Sequence, residues 1–140
     1  DYKRKGIIRA VGVSCHDFGA MRAAAEEPWV DLILARVNHD GVHLDATPDE
    51  VRRLLQRMHD DGKAVYGMKV VGQGHLVDDY ASCIEYVHGL DCVDAITIGM
   101  ESREQVDANV ACIEALDRGE TPPAAATLTG GDGVSGHASA

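Results

Sequence analysis

Apolar and polar positions follow two textures along this chain. Four short apolar runs with little internal alternation, residues 7–13, 30–37, 64–71 and 93–99, read as strands covered on both faces. The stretches between them repeat their apolar positions at helical spacing. Asp17 stands as an N-cap for a helix through about Glu27, which Pro28 stops. Thr47 caps the next, with Pro48 in the first turn and Glu50 reaching back as in a capping box. Its apolar stripe is Val51, Leu54, Leu55 and Met58, and it stops near Gly62. A third helix is expected from Asp78 or Asp79 to Val87, with Ile84 and Val87 facing inward and Gly89 ending it. Ser102 to Gln105 has the form of a second capping box, opening a helix whose stripe is Val106, Val110, Ile113 and Leu116.

Strand and helix thus alternate four times, with strands starting near residues 7, 30, 63 and 93. Such alternation implies an α/β fold with a parallel sheet and right-handed crossovers. An open doubly wound sheet is one solution. The recurrence at about 30 residues is also that of the β/α unit of a (β/α)8 TIM barrel, of which four units make half. Half a barrel leaves two unpaired strand edges and an apolar inner face open, a state that templates aggregation. The chain is therefore expected to be a piece of a longer one or a partner in a dimer. Residues 1–5 are charged except for Tyr2 and read as the end of a helix that begins elsewhere. Residues 1–118 form the expected half-barrel; 119–140, rich in Thr, Pro, Ala, Gly and Ser, read as a disordered low-complexity tail.

Composition narrows the partners. A net charge of −10, from 23 acidic and 13 basic side chains with no basic run, argues against nucleic acid or an anionic membrane surface. No apolar run approaches the roughly 18 residues of a membrane span and the start is no signal peptide, so the expected location is cytoplasmic. Cys15, Cys83, Cys92 and Cys112 form no C-x-x-C pair and are expected to be reduced thiols in small apolar roles.

The chemistry is expected where the third strand runs into Gly72-Gln73-Gly74. Two glycines one residue apart let backbone N–H groups approach a bulky anion, and phosphate is the usual one in α/β proteins. The same glycines would equally serve to turn the chain into the next helix.

These segments together carry a resemblance. Gly6 to Ser14, Val30-Asp31 leading to Val37-Asn38, Gly67-Met68-Lys69 with Gly72-Gln73-Gly74, and residues 93–99 followed by Ser102 to Asn109 resemble the aldo-keto reductase superfamily. The likeness spans about residues 3–117, with the segments in family order and spacing. It implies a (β/α)8 barrel, this chain supplying the carboxyl-terminal half, units five to eight.

The resemblance also implies an NADP(H) site. Ser14 falls where the family has a serine that hydrogen-bonds the nicotinamide carboxamide, Cys15 where asparagine is common, and Leu34 where many members have glutamine. Met68 takes the place of the aromatic that stacks on nicotinamide. Lys69 and Gly72 to Gly74 lie where the pyrophosphate is held. Gly99 replaces a basic residue, whereas Ser102, Gln105 and Asn109 fall on positions that hold the adenosine 2′-phosphate and adenine. Arg103 is the candidate for the missing cation, which favours NADP over NAD.

The implied activity is hydride transfer between nicotinamide and a small-molecule carbonyl. Its tyrosine acid, the lysine and aspartate that tune it, and its histidine belong to the first half of the family's barrel. None of the segments here supplies them, so no catalytic residue is assigned and the chain alone is expected to be inactive. Tyr66 and Lys69 are not that pair, because both fall on one strand. Two other readings stay open. One is a non-catalytic nucleotide-binding module that dimerises. The other is a metal-dependent barrel hydrolase using His39 and His43, with Asp40 and Asp45 in the same loop.

Overall fold

The structure is a computed structural model and describes residues 1–123, so the expected tail lies outside the described residues from position 124. Four strands and four helices alternate: β1 (Gly12–Cys15), α1 (Phe18–Glu26), β2 (Leu32–Arg36), α2 (Pro48–Asp60), β3 (Ala64–Met68), α3 (Tyr80–His88), β4 (Ala95–Ile96) and α4 (Arg103–Asp117). Two single 3-10 turns, Gly72–Gly74 and Val77–Asp79, lie between β3 and α3. All strands are parallel and stand in chain order, β1-β2-β3-β4. Consecutive order is barrel winding; a doubly wound sheet reverses direction at a switch point. The fold is an open arc of four β/α units.

Right-handed crossovers between neighbouring strands all fall on one face, so the helices cover one side of the sheet. Val13, Ile33 and Val65 stand side by side there, followed by Cys15, Ala35, Gly67 and Ile96. Ile33, Ala35 and Val65 are fully buried with Leu55, Met58 and Ile84 from the helices. The next row, Ser14, Leu34, Tyr66 and Ala95, turns to the other face. Tyr66 there is 43% exposed. Among the described residues the strands are thus covered on one face only.

Several boundaries differ from the sequence reading. Residues 7–11 are not strand: Ile7 and Ile8 are exposed. The chain leaves its first helical turn through a Schellman arrangement, in which Ile7 N–H donates to Tyr2 O and Gly6 N–H to Lys3 O, with Gly6 at φ 71. Val11 then gives its N–H to the Asp31 carboxylate at 2.9 Å, and the ladder starts only at Gly12. Asp94 repeats the device at the foot of β4, accepting from Val65 N–H at 2.7 Å. β4 itself is two residues long, because only β3 pairs with it.

The caps of α1 and α2 are as expected. Asp17 accepts from Ala20 N–H, and Thr47 and Glu50 complete a reciprocal capping box. At α4 Ser102 accepts from Gln105 N–H, but the Gln105 side chain takes the N–H of Glu101 instead of Ser102, so the box does not close. The expected stripe of α4 holds at Ile113 and Leu116, which pack against the core, and fails in the first turns. Asn109, Cys112 and Ala115 are buried, whereas Val106 and Val110 are 40% and 48% exposed.

Candidate functional site

The carboxyl ends of β3 and β4 open onto a cavity of about 650 Å3, a size typical of small-molecule and cofactor sites. Met68, Lys69 and Gly74 line it from β3 and its loop; Thr97, Gly99 and Glu101 from the segment after β4; Gln105 and Asn109 from α4. Of the residues singled out in the sequence, Met68, Lys69, Gly74, Gly99, Gln105 and Asn109 therefore meet around one space. Gly72 lies beside it, buried, between the lining residues Val71 and Gln73.

The loop after β3 is built from unusual backbone. Lys69, Gly72, Gln73 and Gly74 all have positive φ, at 57°, 54°, 58° and 95°. A side chain at Gly72 would meet Leu76 and Val42 at 3.1 Å, so this loop packs closely on the one after β2. Asn38, fully buried, stitches the two together: its Nδ2 donates to the carbonyls of Val42 and Lys69, and its Oδ1 accepts from Gly41 N–H.

The tight winding spends the donors that an anion cradle would need. Gly72 N–H donates to Lys69 O and Gly74 N–H to Val71 O, each at 2.9 Å, and His75 and Leu76 also donate within the loop. In this structure the N–H groups of Gly72 and Gly74 are therefore both engaged within the loop. The remaining attraction for an anion is Lys69, half-buried on the cavity wall with no carboxylate in ion-pair range among the described residues.

Two buried polar atoms on this wall lack a partner, Asn109 Oδ1 and Tyr80 Oη. Asn109 is 6% and Tyr80 4% exposed. Unpaired buried polar atoms are costly and cluster where a ligand or water completes them. Burial, and then the neighbouring thiols of Cys112 and Cys83, push the Tyr80 phenol up to about 12. Sequence reasoning missed Tyr80, which reads there as the apolar start of a helix.

Other expected residues lie elsewhere. Ser14 is exposed on the open face of β1, two strand spacings, about 10 Å, from β3. Cys15, next along the strand, points to the helix side and is buried in the core. Burial, and then Asp17, raise its thiol pKa, and it has no access to the open face that Ser14 shares. Ser102 is occupied as the cap of α4 and does not line the cavity. Arg103 does not line it either: its side chain is 88% exposed and lies 3.8 Å from Asp107.

The loop after β2 does not form the metal centre considered from its sequence. His39 Nε2 meets Asp79 at 3.0 Å and the Cys83 thiol at 3.6 Å, whereas His43 Nε2 faces His75 at 3.4 Å. Among the described residues no group of three or more His, Cys, Asp or Glu converges on a metal position.

A family model described as the Aldo/keto reductase family matches residues 1–86. The chain belongs to the aldo/keto reductase family. Among solved structures, the holo form of aldo-keto reductase AKR11C1 from Bacillus halodurans is similar, with a TM-score of 0.61 and 18% identity. The match covers 91% of this chain and 55% of that one, so the chain spans about half the length of that aldo-keto reductase. The fold is thereby that of part of a TIM barrel. A search of curated proteins gives no match. No described helix is long and apolar enough to cross a membrane.

Proposed function

We propose that this chain is the dinucleotide-binding half of an aldo-keto reductase-type oxidoreductase acting on a small carbonyl or alcohol. The observation that carries the reading is the meeting of Met68, Lys69, Gly99, Gln105 and Asn109 around one cavity in a chain of this family. The residues suit a nicotinamide dinucleotide. Lys69 offers an uncommitted cation for phosphate, and Asn109 and Gln105 offer amides for hydroxyl or base edges. Met68 gives a polarizable surface for a ring. The bound nicotinamide would supply hydride chemistry; the chain's own residues bind and orient it. The resemblance favours NADP through Ser102, Gln105, Asn109 and Arg103, of which Gln105 and Asn109 line the cavity and Ser102 and Arg103 do not.

No residue here is proposed as the general acid. That group would come from a second set of β/α units closing against the open face around Tyr66 and the edges of β1 and β4, provided by further chain or by a second copy. Sedimentation distinguishes these, since the second copy requires a dimer.

Equilibrium titration with NADH and NADPH, followed by dihydronicotinamide fluorescence, tests the binding role. Lys69→Ala is expected to weaken binding by about 1.5–3 kcal/mol, the range of a charge-assisted hydrogen bond. Unchanged affinity would remove Lys69 from the site.

A further inference from the structure

We infer that Glu101 makes this cavity select a dinucleotide whose adenosine ribose carries a free 2′-hydroxyl, so that NAD(H) is bound in preference to NADP(H). The inference rests on the dinucleotide reading above and goes beyond it in naming the cofactor and the residue that chooses it.

The charge on the cavity wall carries the argument. Of the residues lining the cavity only Lys69 and Glu101 are charged, one of each sign. They stand on different walls, Lys69 at the end of β3 and Glu101 in the turn before α4. A pyrophosphate drawn to Lys69 uses the one cation. A 2′-phosphate would add nearly two negative charges to a space whose other charged group is a carboxylate. Like charges brought together across a binding surface repel and disfavour the ligand that carries them. A ribose hydroxyl instead donates a hydrogen bond to a carboxylate, which is how acidic residues in dinucleotide folds discriminate.

The backbone at Glu101 is fixed and its side chain is exposed. Its backbone N–H donates to Gln105 Oε1 at 2.7 Å, which fixes the turn against α4, and its carboxylate has no ion-pair partner among the described residues. Arg103, the cation that would welcome a 2′-phosphate, extends into solvent beside Asp107. Gly99 on the same wall adds no charge.

The test is equilibrium binding of NADH and NADPH to the wild-type chain and to Glu101→Gln, Glu101→Lys and Arg103→Ala, read by dihydronicotinamide fluorescence, with melting curves to confirm folding. Wild type is expected to bind NADH about tenfold or more tighter than NADPH. Glu101→Gln is expected to narrow that ratio to a few-fold, Glu101→Lys to invert it, and Arg103→Ala to leave it unchanged. Equal or tighter NADPH binding by wild type, or a ratio that Glu101→Gln does not move, overturns the assignment while leaving the dinucleotide site standing. Failure of both nucleotides to bind overturns the dinucleotide reading and this inference with it.

Discussion

Asn38 Nδ2 donates to the carbonyl oxygen of Lys69 at 3.3 Å, joining two loops 31 positions apart in the chain. The same nitrogen reaches Val42 O at 2.9 Å, and Asn38 is fully buried. One amide thus fixes the turn after β2 and the left-handed residue that begins the loop after β3. Asn38→Asp keeps the shape and the bond from Gly41 but removes both donations and places a carboxylate against two carbonyls. The variant is expected to lose about 2 kcal/mol or more of stability in urea unfolding. A loss under about 0.5 kcal/mol would show that packing alone holds the loops.

Lys63 anchors the opposite end of β3. Its ammonium is buried and donates to the carbonyls of Glu27 and Val30 at 2.7 and 2.9 Å, where the chain passes from α1 towards β2. Lys63→Met preserves bulk and deletes the donor. A stability loss of about 1.5–3 kcal/mol is expected, the range for hydrogen bonds to a charged group. Thermal unfolding of the two proteins checks it, and an unchanged midpoint would contradict the assignment.

Tyr80 sets an alkaline limit. Burial raises its phenol from an ordinary 10 to about 12, so above pH 10 the folded state holds the proton more tightly than the unfolded chain. The associated stability is complete below pH 10 and is lost as pH rises through about 12. The Cys83 thiol, raised by burial from 9 to about 11, begins the same decline one unit earlier. Tyr80→Phe is expected to flatten the stability profile between pH 10 and 12. At neutral pH it should change stability by less than about 1 kcal/mol, because the hydroxyl has no partner to lose. An equally steep alkaline decline in the variant would assign the effect to other groups.

The legible parts of this fold are those set by local rules. Asp17 and Thr47 announce their helices because a cap needs only a side-chain oxygen and the N–H groups one turn ahead. The late start of β1 is not legible in the sequence, because apolar content does not reveal that the Asp31 carboxylate, twenty positions on, takes the N–H of Val11. In α4 the stripe holds at Ile113 and Leu116, whereas Val106 and Val110 face outward at the end of an open arc, where no further unit of the described chain covers them. Of the site, Lys69, Gln105 and Asn109 were reachable through the family's spacing. The internal bonding of the glycine loop, the outward course of Arg103 and the unpartnered hydroxyl of Tyr80 depend on tertiary packing.

On this reading a dinucleotide occupies the cavity between the loop after β3 and the start of α4. Amide chemical-shift mapping of isotope-labelled protein during titration with NADH tests it most directly. Saturable shifts are expected to concentrate at residues 69–74 and 97–109, and to need higher NADH concentrations in Lys69→Ala. Shifts that fail to saturate, or that gather at residues 16–18 and 44–51 beyond β1 and β2, would overturn it.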